Sequence, residues 1–600
     1  MASRSKSYKA RKLVERMNQK INRQVMLSLE ACVHCGMCTD SCHYVLTNPG
    51  DVTYMPSYKA DKLRKLFKYH NDWTGKRVPW LVGARDVFTD EELEEMKDIV
   101  FGRCTNCRRC SLNCPMGVDH ATFNRLARGL LCWVGVMPDG VAAVAKDQWE
   151  IGNQMGVLRE DYLETLEWME EELQKEYNDP GIKIPVDKPG CEVVYSINPR
   201  EIKYDPRSIA EAAAIFHAAG ESWTMPGEGW DMTNFGLFNG DDDLGGACAR
   251  RLFDAVERLG GKKLVISECG HGYRSTRCEG PNWSRSDVGF EMESAVVTML
   301  RYVKEGRIRV DRTRNPEPVT FHDSCNNARS CGVTEEPREL LKLVCMDFRE
   351  MYPNRAENYC CTGGGGAMSM SEYAPRRLKS AKVKADQLKA TGAKIVVTSC
   401  HNCVDALFDL IRHYKLDMEV KQIVNLVANA LVMPEVPKPA ERVAAEAVPA
   451  MAAAAVMVEK ALGEGAGRKI LVIDDERDVR IFLSRIFRDK GYEVIEAPDA
   501  NQGMRAIRDE KPDLVTLDLI MPKKTGMKLY WELRRDEKYR DLPVVIVTGY
   551  AKVDMPEIDF DRFLAEKEIP QPHGFIEKPI HPERILDTVR GVLVKCESRK

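Results

Sequence analysis

Gly392-Ala393-Lys394-Ile395-Val396-Val397-Thr398-Ser399-Cys400 decides the fold of the middle of this chain. A short β-branched run between a glycine and a cysteine reads as a strand buried on both faces, hence parallel, with its functional residue at the C-terminal end. The same pattern stands upstream as Gly261-Lys262-Lys263-Leu264-Val265-Ile266-Ser267-Glu268-Cys269. A further pair, Val193-Val194-Tyr195-Ser196 and Val319-Thr320-Phe321-His322, opens the two copies. Residues 191–432 are therefore expected to form two related α/β halves.

Cysteine placement points to chemistry. The chain has 21 cysteines in tight local groups, which reads as metal ligation in a reducing compartment and not as a disulfide framework. Cys400-His401-Asn402-Cys403 ends the second copy, and Cys325 and the adjacent pair Cys360-Cys361 precede it. Five thiols are one too many for a cubane. Adjacent cysteines can turn both sulfurs into one site only where the backbone bends sharply, and Thr362-Gly363-Gly364-Gly365-Gly366 supplies that freedom.

Nearer the N-terminus, Cys32-Val33-His34-Cys35-Gly36-Met37-Cys38 with Cys42, and Cys104-Thr105-Asn106-Cys107-Arg108-Arg109-Cys110 with Cys114-Pro115, are two three-plus-one runs. Two-residue spacers let three thiolates grip one cubane while the fourth reaches the other cluster. This assigns Cys32, Cys35, Cys38 and Cys114 to one [4Fe–4S] centre, and Cys104, Cys107, Cys110 and Cys42 to the other. Zinc knuckles are the alternative, but tetrahedral zinc asks for ligands as two pairs. His43 stands where proline usually follows the fourth cysteine, a change of polarity that removes no ligand.

After the Pro/Ala-rich stretch Pro434–Gly467 the pattern changes. Lys469–Ile473, Leu514–Leu517 and Val544–Val547 are buried-strand runs alternating with amphipathic helices, the mark of a doubly wound domain. Asp474-Asp475, Asp518, Thr548 and Lys578-Pro579 follow strand ends, the crevice where open α/β sheets place their sites. Three carboxylates there suit Mg²⁺, which takes few protein ligands and keeps waters for a phosphate.

The five-cysteine arrangement resembles the cysteine-rich "CCG" domain of heterodisulfide-reductase-type proteins, and with the ferredoxin-type runs the resemblance spans roughly residues 25–432. It implies that Cys325, Cys360, Cys361, Cys400 and Cys403 hold a noncubane [4Fe–4S] cluster, the catalytic site where a disulfide or related sulfur compound takes two electrons. The first copy departs from that pattern: Cys269 matches Cys400, but Gly272 replaces Cys403, Pro199 stands near the place of Cys325, and Thr233-Asn234-Phe235-Gly236 has no cysteine pair. One such cluster is expected. His322, Asp323 and His401 flank it, as proton relays or as structural hydrogen-bonding groups. Residues 468–595 resemble the response-regulator receiver domain. That resemblance implies Asp518 as phosphoacceptor, Asp474 and Asp475 as Mg²⁺ ligands with it, Thr548 and Lys578 as phosphoryl contacts, and Phe575 as the aromatic switch.

The expected architecture is multidomain α/β. A basic segment (1–24) precedes an α-helical ferredoxin-like 2[4Fe–4S] domain with a helical extension (25–178). The two-copy cysteine-rich domain (191–432), a linker (433–467) and the flavodoxin-like receiver (468–595) follow. The basic segment reads as a solvated helix, or as a docking element for an acidic partner or anionic lipid. A net charge of −3 gives no reason to expect nucleic acid as a partner. The longest apolar stretch, Ala447–Val458, falls well short of the roughly 20 residues that span a bilayer, so a cytoplasmic protein is expected, reaching the membrane face only through a partner subunit.

Eight cysteines, Cys132, Cys191, Cys248, Cys269, Cys278, Cys331, Cys345 and Cys596, are left over and read as small buried hydrophobes, with Cys331 the least secure of them. The cofactors expected are two cubanes, one noncubane cluster and Mg²⁺. The partners expected are a haem-bearing membrane subunit or a soluble flavoprotein, with a sensor histidine kinase as phosphodonor. Since no G-x-G-x-x-G follows a strand, flavin or NAD belongs to another chain. The alternative function is a redox-sensing signalling protein whose receiver relays cluster state to a partner.

Overall fold

A computed structural model describes residues 8–285, 287–434, 467–474, 477–519, 526–548, 570–577 and 580–597. The chain divides into two compact units, Met1–Val436 and Pro437–Lys600, and each is described by itself.

The first unit opens with helices. Tyr8–Lys20, Arg23–Ala31, Pro56–Asn71, Asp90–Gly102 and His120–Trp133 enclose the two cysteine runs, and Asp139–Glu150 and Arg159–Tyr177 extend the layer. Local signals fix the ends. Thr89 and Glu92 form a reciprocal capping box at Asp90, and the Asp119 carboxylate accepts the amides of Ala121 and Thr122 ahead of His120. The basic N-terminal helix is more than a solvated one: Ala10, Leu13, Val14 and Met17 are buried along one face. Its cations reach inward, with Lys20 Nζ 2.9 Å from Asp242 and the Arg16 guanidinium 4.1 Å from the Trp133 ring centre.

Two sheets follow. β1 (Val193–Ser196), β2 (Trp223–Thr224), β3 (Lys263–Ile266) and β4 (Glu291–Ser294) pair in the order β2-β1-β3-β4. After β5 (Arg309–Val310), β6 (Pro318–His322), β7 (Asp347–Arg349), β8 (Ile395–Thr398) and β9 (Glu419–Lys421) pair as β7-β6-β8-β9. All pairings in both sheets are parallel. β10 (Leu431–Val432) closes the module by pairing antiparallel with β5. The two copies thus have one topology, as the repeated sequence pattern implies. Val194, Leu264, Val265, Val319, Val396 and Val397 are all fully buried, the burial that parallel strands require.

The second unit is a five-stranded sheet of β11 (Lys469–Ile473), β12 (Glu493–Ala497), β13 (Leu514–Leu517), β14 (Val544–Thr548) and β15 (Gly574–Glu577), ordered β12-β11-β13-β14-β15 and parallel throughout. Strand alternation sends Leu471, Ile473, Val515 and Leu517 into one core with Ile507 and Leu529. Ile470, Val472 and Val545 enter the other with Phe487 and Ile585. This is the doubly wound layer order expected from the sequence. The segment 435–466, most of the expected linker, lies outside the described residues.

One buried side chain ties the first unit together. Arg128, 0% exposed, donates from Nε to Val100 O (2.9 Å), from Nη1 to Phe238 O (2.9 Å) and Gly365 O (2.6 Å), and from Nη2 to Cys104 O (2.6 Å). These acceptors belong to the helical layer, the first copy, the glycine run of the second copy and a cysteine run. Arg128→Met keeps the aliphatic bulk and removes all four donors. Each buried group left unsatisfied costs about 1–3 kcal/mol, so the variant is expected to lose at least about 3 kcal/mol and bind less iron. Calorimetry with iron analysis checks this; wild-type melting and iron content would mean that the guanidinium fastens nothing.

Candidate metal centres and phosphoacceptor site

Two loops build the first candidate centre. The turn around Cys107 needs left-handed backbone at Asn106 (φ 53°) and Arg108 (φ 64°), which Asn tolerates and which folds the run back on itself. Cys42, Cys104, Cys107 and Cys110 then line one cavity with His43, Lys59, Thr105 and Arg109. The sequence puts these four thiols in one set, the fourth supplied by the other run. Burial pushes the Cys42 thiol up to about 11, so a thiolate there calls for a neighbouring cation. The second set is more open: Cys38 is buried, Cys32 and Cys114 are half-buried, and Cys35 is exposed. None of the described cysteines forms a disulfide.

The five-cysteine site lies at the ends of β6 and β8. Cys400 follows β8 and precedes the helix His401–Tyr414, whose first turn carries Cys403. Cys360, Cys361, Cys400 and Cys403 are buried in one cluster, and Cys107 of the upstream run packs against it. Cys361 Sγ lies 3.2 Å from Cys403 Sγ, and a His322 nitrogen shares with both a space within 4.8 Å. The amides of Thr362 and Gly363 point at the sulfurs of Cys360 (3.2 Å) and Cys361 (3.4 Å). Thr362 holds φ at +77°, the sharp bend that the adjacent cysteines require. Cys325 opens the π-helical turn Asn326–Ser330 and is half-buried.

The glycines of this run are required by close approach. A Cβ on Gly365 would stand 2.7 Å from Thr105 O, and one on Gly363 would stand 2.3 Å from Asn402 O. The glycine run therefore lies directly on the Cys104–Cys110 loop, and Thr105 Oγ1 comes within 3.4 Å of Cys360 Sγ. Two further guanidiniums cross this seam. Arg109 donates to Ser41 O (2.7 Å) and Glu357 O (2.8 Å); Arg329 donates to Ala356 O (2.6 Å), to Asn358 O (2.5 Å) and to Cys107 O. The two thiol sites share a wall.

Around the five cysteines, the candidate relay residues divide. Asp323 is committed to structure: it takes a bidentate pair from Arg338 (2.8 Å each) and the Arg355 amide (2.6 Å). His401 is held by Glu201 at 2.9 Å and by Gln422 at 2.6 Å. His322 alone of the three is within reach of the thiols, its Nδ1 3.2 Å from Asn358 Nδ2. Sequence reasoning missed Lys384, which is fully buried and pushed down to about 7 by that burial. Its ammonium donates to Asn358 Oδ1 at 2.6 Å. A lysine in a helical run carries no sign of burial in its spacing.

The first copy brings one cysteine to this place. Cys269 is buried against Cys400, with Asn198 Nδ2 and His271 Nδ1 at 3.5 and 3.2 Å from its sulfur. It is thus more than the small hydrophobe expected from the sequence, and its alignment with Cys400 is the signal that points there. Elsewhere in that copy protein groups fill the corresponding ground. Gln148 donates to Thr233 O (2.9 Å) and accepts the Phe235 amide (2.8 Å), and a Cβ on Gly272 would meet Met232 Sδ at 2.6 Å.

In the second unit, Asp474 and Asp518 are buried at the ends of the adjacent strands β11 and β13. The Asp518 amide donates to Ile473 O (3.0 Å) and the Asp474 amide to Ala497 O (3.2 Å), which fixes both carboxylates at the crevice. Phe575 lies on β15 and is exposed. Asp475, Lys578 and the Thr548 side chain lie outside the described residues, as does the side chain of Cys596. No helix among the described residues is long and apolar enough to cross a membrane.

Comparison with known proteins agrees with this geometry. Residues 28–118 match the 4Fe-4S dicluster domain family, 319–407 the cysteine-rich domain family, and 470–590 the response regulator receiver domain family. An Hdr-like menaquinol oxidoreductase iron-sulfur subunit of Archaeoglobus profundus is 28% identical over 461 residues, 69% of this chain and 81% of its own. One of the subunits of the dihydromethanophenazine:CoB--CoM heterodisulfide reductase of Methanosarcina barkeri is 27% identical over 412 residues, 68% of this chain and 95% of its own. The phosphate regulon transcriptional regulatory protein PhoB of Pseudomonas aeruginosa is 30% identical over 131 residues, 21% of this chain and 52% of its own. The chain thus carries a 4Fe-4S dicluster domain, a cysteine-rich domain and a response-regulator receiver domain, and its thiol-bearing part is similar to heterodisulfide-reductase-like iron–sulfur subunits.

Proposed function

We propose that the chain is the electron-transferring, sulfur-reducing subunit of a larger redox complex, and that its receiver regulates it. The single observation that carries this reading is the shared wall, Thr105 against Cys360 with Cys107 packed on the five-cysteine cluster. Cys32, Cys35, Cys38 and Cys114 would hold one cubane, Cys104, Cys107, Cys110 and Cys42 the second, and Cys325, Cys360, Cys361, Cys400 and Cys403 the noncubane centre. When bound, these groups supply one-electron transfer and, at the five-thiolate centre, two-electron chemistry on a disulfide or related sulfur compound. The chain's own residues do the rest. Thr362 and Gly363 aim amide dipoles at the sulfurs, Lys384 offsets the negative charge of the thiolates, and His322 is within reach to hand over a proton. Gln148, Asn198 and Met232 leave the first copy without a donor set, which supports one such centre.

The names of the relatives favour a quinol-linked or similar complex. A haem-bearing membrane subunit or a soluble flavoprotein is the partner this reading expects, with a histidine kinase as phosphodonor. Asp474, Asp475 and Asp518 would hold Mg²⁺, and Asp518 would take the phosphoryl group beside Thr548 and Lys578.

The anaerobically purified protein is expected to hold about twelve irons, four for each of three clusters. Cys361→Ser, on the side of the site that faces Cys403, should abolish the paramagnetic signal of the noncubane centre and leave both cubane signals. Iron near eight in the wild type, or stoichiometric zinc, would remove the third cluster; loss of cubane signals in the variant would break the ligand partition.

For the receiver, beryllofluoride with Mg²⁺ should change partner binding or dye-linked reduction rate in the wild type and leave Asp518→Ala unmoved. The same rate and binding in wild type and Asp518→Ala, each with and without beryllofluoride, would make the receiver a passive appendage.

A further inference from the structure

Two of the cysteines that the metal centres leave unused meet at the surface. Cys278 is exposed and Cys331 half-buried, and their sulfurs stand 3.3 Å apart. They come from different copies. Cys278 lies in the π-helical turn Arg274–Glu279 that follows β3, and Cys331 ends the π-helical turn Asn326–Ser330 that Cys325 opens. π-Helical turns are rare and concentrate at functional places; here two of them meet, and Arg274 Nη1 bonds Asn326 Oδ1 across the junction at 3.3 Å. Unlike Cys269, which faces the five-cysteine site, this pair faces solvent.

We propose that Cys278 and Cys331 form a reversible two-electron dithiol/disulfide couple at the surface of the cysteine-rich domain. The oxidant is an external disulfide, of a small thiol or of a partner protein. The Cys278 thiolate attacks one sulfur of that disulfide, forming a mixed disulfide and releasing one thiolate; Cys331 then attacks Cys278 Sγ, closing the protein disulfide and releasing the second thiolate. Two protein thiols are oxidised, one external disulfide is reduced to two thiols, and both protons leave with the products. Bond formation asks the sulfurs to close by only about 1.2 Å to reach the usual S–S length.

The surroundings suit the first step. The Cys278 thiol is pushed down to about 7, first by the hydrogen bond from Cys331 and further by Arg277 and Arg274. Arg277 is held over the ring of Tyr273 and donates to its hydroxyl at 2.7 Å, and Arg108 reaches Ser330 Oγ at 3.5 Å. Arg277 and Arg274 favour the thiolate, offset in part by Glu279, which pairs with Arg274 at 2.9 Å. The couple goes beyond the function proposed above: it stands whether or not a disulfide is reduced at the iron–sulfur site.

The experiment uses the full anaerobic protein, treated with excess oxidised glutathione or with dithiothreitol, then acid-quenched, alkylated and digested for mass spectrometry. A Cys278–Cys331 linked peptide is expected after glutathione and none after dithiothreitol. Reductive titration of the oxidised protein, freed of glutathione, should take two electron equivalents more than the same titration of Cys278→Ser, whose iron content matches wild type and whose Cys331 is recovered alkylated. Cys331→Ser serves as the second variant. Two alkylated thiols in the glutathione-treated wild type would overturn the proposal without any variant. Loss of iron in both single variants would also overturn it, making the pair metal ligands.

Discussion

A buried guanidinium can satisfy up to five acceptors, and Arg128 uses that capacity to join four segments that have no regular secondary structure in common. The loops carrying the thiols cannot pair their own carbonyls in ladders, because they are bent to aim sulfur inward. Orphaned carbonyls in a buried seam are costly, so the seam exists only if donors are brought to it. Arg128, Arg109 and Arg329 are those donors; the fork of Arg128 joins Cys104 to the glycine run, and Arg109 and Arg329 hold residues 356–358 against the Cys104–Cys110 loop. Desolvating three guanidiniums is itself unfavourable. It is tolerated where each is surrounded by carbonyl dipoles and, at these sites, by thiols that become anionic on ligation.

The duplicated sheet gives two strand-end crevices of one geometry, and the second gathers Cys360, Cys361, Cys400 and Cys403 where the first has Cys269 alone of its aligned positions. In the other copy the corresponding ground is taken by hydrogen bonds centred on Gln148 and Asn198, with Asp231 among the acceptors. The Gln148 amide satisfies the backbone of Thr233 and Phe235 without needing a metal. Cys269 brings a thiol of the first copy against Cys400 of the second. The surface couple Cys278–Cys331 arises from the same meeting of copies, at the outer edge and not at the core.

How much could be read without coordinates differs by element. The β-branched runs ending at Cys269 and Cys400 carried the duplicated parallel sheets, and the alternation in Lys469–Ile473 carried the two-faced receiver sheet, because strand burial writes itself into local sequence. The three-plus-one cysteine spacing likewise grouped Cys42 with Cys104, Cys107 and Cys110, since two-residue spacers limit what one run can grip. The buried face of the helix Tyr8–Lys20 was hidden behind its charges, whose long stems let cations reach partners while the apolar stripe packs.

The sequence by itself determined local chemistry: which runs are strands, that Cys42 stands with Cys104, Cys107 and Cys110, and that Asp474 and Asp518 end strands of the receiver. Tertiary structure decided who meets whom. That Thr105 lies on Cys360, that Cys269 faces Cys400, that Asp323 is committed to Arg338 while His322 reaches the thiols, and that Cys278 finds Cys331 are contacts between residues 15 to 255 positions apart. Such contacts depend on how loops close and layers stack, not on spacing, and a buried Arg or Lys is written in sequence like an exposed one. Only packing reveals that Arg128 and Lys384 have left water, because their burial is set by neighbours contributed from distant parts of the chain.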